Sequence, residues 1–472
     1  MMRLRLVAGL LLSAILWLSP GQKAEAALGL RPRPNRPNLI FILADDLGYG
    51  DLGCYGQKRI KTPHIDKLAA EGMRFTSCYA GSTVCAPSRC ALMTGLHTGH
   101  CRVRGNDPRP LQAEDVTVAE VLKRAGYNTG LIGKWGLGLQ GTTGMPTLQG
   151  FDDFVGFLSQ THAHQYYPTN IWRNDALWLL DGNTNGAKKE YVHDLFTRAA
   201  LNYVRVNAQQ PFFLYLAYTI PHAHNELKDQ GMEVPSDAPY SAEDWPAMEK
   251  NKAAMITRLD RDIGQLMGSL KKLKLDTNTV VFFTSDNGPH KEGGVNPEFH
   301  HSSGPLRGFK RSMYEGGIRV PMIVRWPGRI RAGSVSDFPW AFWDFLPTAA
   351  EIAGASVPAD LDGRSVLPVL LGREAAPHEY FYWEFHEGGS KQAVRMGDWK
   401  AVRLGPGEPL ELYRLNSDLG ETNNVATQNP EVIAKVEAFL KTARTESAPW
   451  PLRTAKQAAE ARRNAAKNAP VN

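Results

Sequence analysis

Asn38-Leu-Ile-Phe-Ile-Leu-Ala-Asp-Asp46 carries an unbroken apolar run straight onto two carboxylates. A short run without polar alternation fits a strand covered on both faces, as in the parallel sheet of an α/β protein. Open sheets of that kind gather their ligand sites just beyond the C-terminal ends of the strands. Three further runs end the same way: Thr129–Gly133 leads into Lys134, Pro211–Ile220 into Pro221 and His222, and Thr279–Thr284 into Ser285-Asp286-Asn287-Gly288. Four strand ends bearing Asp-Asp, Lys, His and Asp-Asn point to one shared site. From about residue 37 to 370 such strands alternate with amphipathic helices, so the sequence predicts an α/β sandwich with a mainly parallel sheet. Helix Glu249–Leu273 sets Met255, Leu259, Ile263, Leu266 and Leu270 on one stripe, read as core. Thr117 and Glu120 form a capping box for a helix that stops at Gly126.

Beyond about residue 375 the pattern changes. Glu379–Phe385, Gln392–Met396 and Trp399–Arg403 read as short strands and Pro430–Ala443 as a helix. The expected organisation is a signal peptide over 1–26, a catalytic α/β domain over 27–374, a small antiparallel-sheet subdomain with one helix over 375–452, and a disordered basic tail over 453–472. In the first segment Arg3 and Arg5 precede the short apolar run Leu6–Leu18, and Ala24-Glu25-Ala26 resembles a cleavage site. The protein is therefore expected to be exported, periplasmic or secreted, with no membrane attachment after cleavage.

The net charge is +6, of which residues 1–26 hold +2 and residues 453–472 hold +4, leaving the body neutral. Nucleic-acid binders carry a basic footprint on the folded body, so nucleic acid is not an expected partner. All five cysteines lie between 54 and 101. With Cys85 set aside, the other four allow three disulfide pairings or remain free thiols. There is no Cys-x-x-Cys, which leaves a zinc or redox site unsupported.

Asp45, Asp46, Asp286 and Asn287 are hard oxygen donors, a set suited to Ca²⁺ or Mg²⁺ rather than zinc. In Cys85-Ala86-Pro87-Ser88-Arg89, Pro87 is favoured at a first helical position. Cys85 then stands just before a helix N-terminus, where amide donors and a partial positive charge face an anion.

This Cys-x-Pro-x-Arg stretch resembles the signature of the formylglycine-dependent (type I) sulfatases, members of the alkaline-phosphatase-like superfamily. The resemblance extends from about residue 37 to 425, through Asn38–Asp46, Cys85–Gly95, Gly133-Lys134-Trp135, Ser285–Gly288 and Gly304–Pro321. It implies an alkaline-phosphatase-like sandwich and one Ca²⁺ per chain, held by Asp45, Asp46, Asp286, Asn287 and the modified Cys85. A formylglycine-generating maturation enzyme would convert Cys85 to an aldehyde whose hydrate attacks sulfur. Arg89 would hold that nucleophile, Lys134 and Lys310 would clamp sulfate oxygens, and His222 would stand beside the leaving oxygen as the acid.

One departure stands out. Many members read Gly-Lys-Trp-His-Leu-Gly, with the histidine assisting the formylglycine hydroxyls, whereas this chain has Gly136 at that place. His162 and His164, alternating along what reads as an extended loop, are candidates to fill the gap or to contact substrate. Tyr166, Tyr167, Trp172, His290, Trp383, Glu384 and His386 are candidates to line a sugar-sized pocket. The function expected is hydrolysis of sulfate monoesters, on sulfated carbohydrate with aryl sulfates as by-substrates. The alternatives are a phosphate or phosphonate ester hydrolase of the same superfamily, or a non-catalytic sulfated-glycan-binding protein.

Overall fold

The two-residue period of one strand sets the layering. In β1 (Asn38–Ala44) every position is buried. Leu39, Phe41 and Leu43 enter one core, while Ile40, Ile42 and Ala44 enter the other, so the strand is covered on both faces. The computed structural model describes residues 36–467; the segment 1–26 assigned as a signal peptide lies outside the described residues.

β1 is flanked by β7 (Phe212–Ala217) and β8 (Thr279–Ser285), both parallel to it. β3 (Asn128–Lys134) pairs parallel with β7, and β4 (Asp153–Phe157) pairs parallel with β3. β5 (Asn170–Arg173) and β6 (Ala176–Leu179) extend that edge antiparallel. On the other side β9 (Arg319–Arg325) runs antiparallel between β8 and β2 (Met73–Tyr79). β10 (Ser334–Ser336) and β11 (Trp340–Ala341) complete an 11-stranded sheet along β2. The register aligns Ala44 with Ser285, Leu43 with Ala217 and Gly133 with Ala217. Asp45, Asp286 and Lys134 therefore emerge side by side on one edge.

Helices cover both faces. α1 (Pro63–Glu71), α4 (Val192–Val206) and α5 (Ala247–Lys272) pack on the Ile40–Ile42 side. α2 (Cys85–Thr94), α3 (Val118–Arg124) and α6 (Phe345–Ala353) pack on the Phe41 side. The stripe Met255, Leu259, Ile263, Leu266 and Leu270 of α5 is buried as its spacing requires. α3 opens on the capping box, with Thr117 Oγ1 accepting from Glu120 N at 3.2 Å and Glu120 Oε2 from Thr117 N at 2.8 Å.

A second sheet of β12 (Phe381–Phe385), β13 (Lys391–Met396), β14 (Trp399–Arg403) and β15 (Glu411–Arg414) is antiparallel throughout. α7 (Pro430–Leu440) covers one face through Val432, Val436 and Leu440. The other face puts Phe381, Trp383 and Phe385 against Tyr79, Val84 and Trp343. The small sheet thus shares a core with the residues that precede α2.

Two expectations change. Within the tail expected to be disordered, Ala455–Lys467 forms α8. Alanine, lysine, glutamine, glutamate and arginine are strong helix formers, and Ala458 is buried, at 9% exposure. The segment is also pinned in front of the helix, where Arg453 N donates to Ser390 Oγ at 2.8 Å and Ser390 N to Arg453 O at 2.7 Å. For the cysteines, the open choice resolves to free thiols: all five are unpaired, and all but Cys54 are buried.

Glu384 of β12 ties the small sheet to the loop after α2. Its fully buried carboxylate accepts from Arg104 Nη1 at 3.0 Å, Arg444 Nε at 2.8 Å and Tyr382 OH at 2.8 Å, with His386 Nε2 at 3.0 Å. Burial opposes its ionisation, yet the His386 hydrogen bond and the Arg104 and Arg444 charges hold its carboxyl down to about 2. Replacing one partner of such a group leaves buried charge unpaired, so Glu384→Ala should cost about 3–5 kcal/mol, read as a lowered urea midpoint. An unfolded glutamate titrates near about 4.3. The contribution is therefore complete at neutral pH and fades as pH falls through 4 towards 2, where the gap between native and variant should close.

Candidate active site

Cys85 is the first residue of α2, two positions earlier than the proline suggested. Pro87 falls at the third helical position, which is tolerated because the first turn has no intrahelical use for its N–H. Val84 offers no side-chain cap. Instead Asn106 Oδ1 accepts from Ala86 N at 2.9 Å, and Ser88 Oγ both accepts from Gly81 N at 3.1 Å and donates to Asp286 O at 2.5 Å. The whole helix is buried, and Cys85 Sγ donates to Asp45 Oδ1 at 3.3 Å.

The carboxylates, Lys134 and His222 predicted from four strand ends meet here, joined by Arg89 and Lys310. Lys134 Nζ donates to Asp45 Oδ2 at 2.7 Å, and Lys310 Nζ donates to Asp46 Oδ2 at 2.8 Å. Arg89 donates to Asp286 Oδ2 through Nε at 3.1 Å and Nη2 at 2.8 Å, while its Nη1 donates to Lys134 O at 2.8 Å. Asp46 N donates to Asp286 Oδ1 at 3.1 Å, a link made with Asp46 at φ 64°, a left-handed conformation that aspartate tolerates better than most residues. His222 Nδ1 lies 2.6 Å from Ala223 O, and its Nε2 lies 3.0 Å from Lys310 Nζ. The lysine ammonium has only donors, so Nε2 accepts and Nδ1 donates.

Electrostatics follow from this crowding. Burial raises Asp45, but Lys134, His222, Arg89 and Lys310 outweigh it and hold its carboxyl well below the usual carboxylate range. Burial, reinforced by Asp45, pushes the Asp286 carboxyl up, and the Arg89 guanidinium bonded to it opposes that rise. Burial, with Asp286 and Asp45 beside it, pushes the Cys85 thiol well above its ordinary range, so it is a poor thiolate. Burial and Lys310 hold His222 well below the ordinary imidazole range.

A metal ion fits this donor set. Ligand atoms of Asp45, Asp46, Cys85 and His222 all lie within 4.8 Å of one another. Asn287 donates from Nδ2 to Asp46 Oδ1 at 2.7 Å, while its Oδ1 is buried with no hydrogen-bond partner. A buried acceptor without a donor is costly, and a hard cation would satisfy it.

The two loop histidines separate. The segment is a 3₁₀ turn, His162–His164, rather than an extended loop, because Thr161 sits in helical φ/ψ and the turn closes locally. His162 packs on Phe157, with ring centres 4.7 Å apart. His164 stacks on His222 at 4.8 Å and 12°, with Nδ1 3.1 Å from Glu226 Oε1. Gly136, at the place of the missing histidine, has φ 82°, and a Cβ there would lie 2.0 Å from Gln160 Nε2. The glutamine amide occupies that room, an arrangement that no spacing rule in the sequence signals.

Most of the candidate pocket aromatics are structural. Tyr166 is fully buried, and its OH bonds Thr219 O and His222 O. Trp383 Nε1 donates to Ala80 O at 2.9 Å, and His290 Nε2 stands 2.9 Å from Pro221 O. Of that group, His386 borders an open cleft.

Residues 37–355 match the sulfatase family, and residues 308–446 match the C-terminal region of N-sulphoglucosamine sulphohydrolase. The chain belongs to the sulfatase family. It is accordingly a sulfuric ester hydrolase with the alkaline-phosphatase-like architecture. It is 30% identical to an N-acetylgalactosamine-6-O-sulfatase of Bacteroides thetaiotaomicron, covering 87% of this chain and 93% of that one. It is 34% identical to human arylsulfatase A, covering 84% and 85% respectively. Among solved structures, Ps i-CgsB in complex with k-i-k-neocarrahexaose superposes with a TM-score of 0.78 at 30% identity, covering 92% of this chain and 98% of that one. A phosphonate monoester hydrolase of Agrobacterium radiobacter shares the fold, with a TM-score of 0.64 at 22% identity over 86% and 95%.

In this sulfatase Arg89 and Asp286 are both fully buried. Arg89→Ala leaves Asp286 without its guanidinium and should cost about 3–5 kcal/mol. Arg89→Lys, which keeps the charge but not the fork, should cost distinctly less. Urea denaturation in chelator-treated buffer reads both, and equal midpoints for the two variants would contradict the assignment.

Proposed function

We propose that this sulfatase hydrolyses sulfate monoesters on sulfated carbohydrate, using formylglycine made from Cys85 and one bound Ca²⁺. The observation that carries the proposal is the closed set around Cys85. A buried thiol with a raised pKa, poorly suited to thiolate chemistry, stands at a helix N-terminus among three carboxylates and three cations. The names of the relatives support the carbohydrate class: one is an N-acetylgalactosamine-6-O-sulfatase, and another was solved with a neocarrahexaose. Production would need a formylglycine-generating enzyme, and the basic and apolar start of the chain would direct export to the periplasm or outside the cell. No helix among the described residues is long and apolar enough to cross a membrane.

Asp45, Asp46, Asp286, Asn287 and residue 85 would hold the Ca²⁺, which when bound supplies positive charge to sulfonate oxygens. A formylglycine at 85 would supply a hydroxyl nucleophile in place of the thiol. Arg89, locked on Asp286 and Lys134 O, fixes the position of that hydroxyl. Lys134 and Lys310 would transfer part of their attachment from Asp45 and Asp46 to the sulfate oxygens. His222 would stand beside the leaving oxygen as the acid, delivering a proton from Nε2 once that nitrogen has taken one up from solvent, while its Nδ1 bond to Ala223 O keeps the ring oriented. His164, stacked on His222 and anchored by Glu226, would border the leaving group; His162, turned onto Phe157, would not.

Protein produced with a formylglycine-generating enzyme should release sulfate from 4-nitrophenyl sulfate and from N-acetylgalactosamine 6-sulfate, and chelation of calcium should abolish both. Cys85→Ala should remove turnover. Faster release of phosphate than of sulfate from matched aryl esters would favour the phosphate or phosphonate ester alternative instead. His164→Ala should lower kcat/KM on the sugar sulfate by about tenfold to a hundredfold, within the range of lost acid–base assistance, with His162→Ala near the parent value.

A further inference from the structure

The basic charge left over by the neutral body sits in residues 453–472, and the described part of that segment, 453–467, packs back on the enzyme. α8 and the segment before it form one wall of a cleft of 520 Å³, whose lining includes Asn106, Arg109, His386, Glu387, Arg453 and Arg462. The cleft is tied to the end of α2 that carries Cys85. Its Asn106 accepts from Ala86 N, the residue after Cys85, at 2.9 Å. On the opposite side Glu387 Oε2 accepts from Arg311 Nε at 2.8 Å. Arg311 pairs in turn with Glu292, and Glu292 lies 4.0 Å from Lys310 Nζ.

The wall is held firmly. Trp450 Nε1 donates to Arg102 O at 2.9 Å, and the indole lies so close to Gly105 that a Cβ there would stand 2.7 Å from it. Arg453 is fastened to Ser390 through both backbone groups. Ala455 lies against Gly389, which has φ 112° and where a Cβ would approach Ala455 N to 3.0 Å. Gly389 therefore gives the turn its left-handed bend and admits the tail.

The charges facing the cleft do not cancel. Glu387 is taken by Arg311, and Asp107 stands 3.5 Å from Arg109 Nε. His386 is held between Glu384 and Ser390. Arg453 and Arg462 form no ion pair with any described residue, and both are exposed. An exposed guanidinium presents a planar fork that matches sulfate and carboxylate oxygens. Trp450, buried at 8% exposure, and the ring of His386, 5.5 Å away and tilted by 43°, form the floor of the cleft beneath these charges.

We infer that this cleft is an accessory anion subsite, built by the C-terminal tail, which binds a second sulfate of the same glycan while the first lies at residue 85. The inference rests on the sulfated-carbohydrate reading of the active site. It makes the enzyme selective for densely sulfated oligosaccharides over singly sulfated ones, and it gives the otherwise isolated positive charge of the tail a use.

The test separates the two readings. Equilibrium binding to protein that retains the Cys85 thiol is measured with two neocarratetraoses of one backbone, bearing one or two sulfates per disaccharide. The parent protein should bind the more sulfated form at least tenfold more tightly. In Arg453→Gln/Arg462→Gln the preference should fall below threefold, and in Arg462→Glu it should fall further, with far-UV circular dichroism confirming that each variant keeps its fold. Equal affinity of the parent for both sugars, binding of neither, or a preference untouched by the substitutions overturns the inference. Sulfate release from 4-nitrophenyl sulfate by matured protein reports separately on residue 85. Its absence would overturn the sulfatase mechanism while the binding ratio still judges the cleft.

Discussion

Asp45, Asp46 and Asp286 occupy one sheet edge with Arg89, Lys134 and Lys310, and all six side chains are essentially withdrawn from solvent. Each unpaired ion in such a place would cost several kcal/mol, so the balance of three against three constrains everything around it. The strands must keep the register that sets Ala44 beside Ser285, since a one-residue slip would turn the carboxylates to the other face. Asp46 must accept a left-handed backbone. Under the proposed mechanism, a sulfate monoester would compete with the carboxylates for Lys134 and Lys310, and a divalent cation among the acids would compensate for what the lysines release.

The main strands and the acid pairs were legible because continuous apolar runs of this length have few other uses, and because each ended on chemistry. The ends of β1 and β8 moved by one residue, whereas the run read as Pro211–Ile220 forms strand only over Phe212–Ala217. What was not legible involved contacts between distant segments. Pro87 marked a helix start, but the register was set by Asn106 and Asp286, remote in sequence from Cys85. The alternation of His162 and His164 suggested a shared face, whereas a single 3₁₀ turn sends one ring to Phe157 and the other to His222. Gln160 reaches the space beside Gly136 from a separate segment, so nothing in the local sequence around residue 136 signals it. The tail misled because its charge and polarity resemble those of disordered segments, although its alanines favour helix and one of them, Ala458, is buried.

The smaller sheet is part of the catalytic construction rather than an appendage. Trp383 and Phe385 complete the core next to Val84, the residue before Cys85. Glu384 gathers Arg104 and Arg444 into one buried cluster, which fixes the loop carrying Asn106. Rigidity at the start of α2 therefore depends on residues some three hundred positions downstream. The proposed chemical centre belongs to the large sheet, and under the inferred subsite the surface that would meet the rest of a substrate comes from the C-terminal part of the chain.

The most direct measurement is the mass of the peptide containing Cys85, from protein produced together with a formylglycine-generating enzyme. The account predicts a mass corresponding to the aldehyde or its hydrate at residue 85. An unmodified thiol, found while a control sulfatase in the same cells is converted, would contradict it.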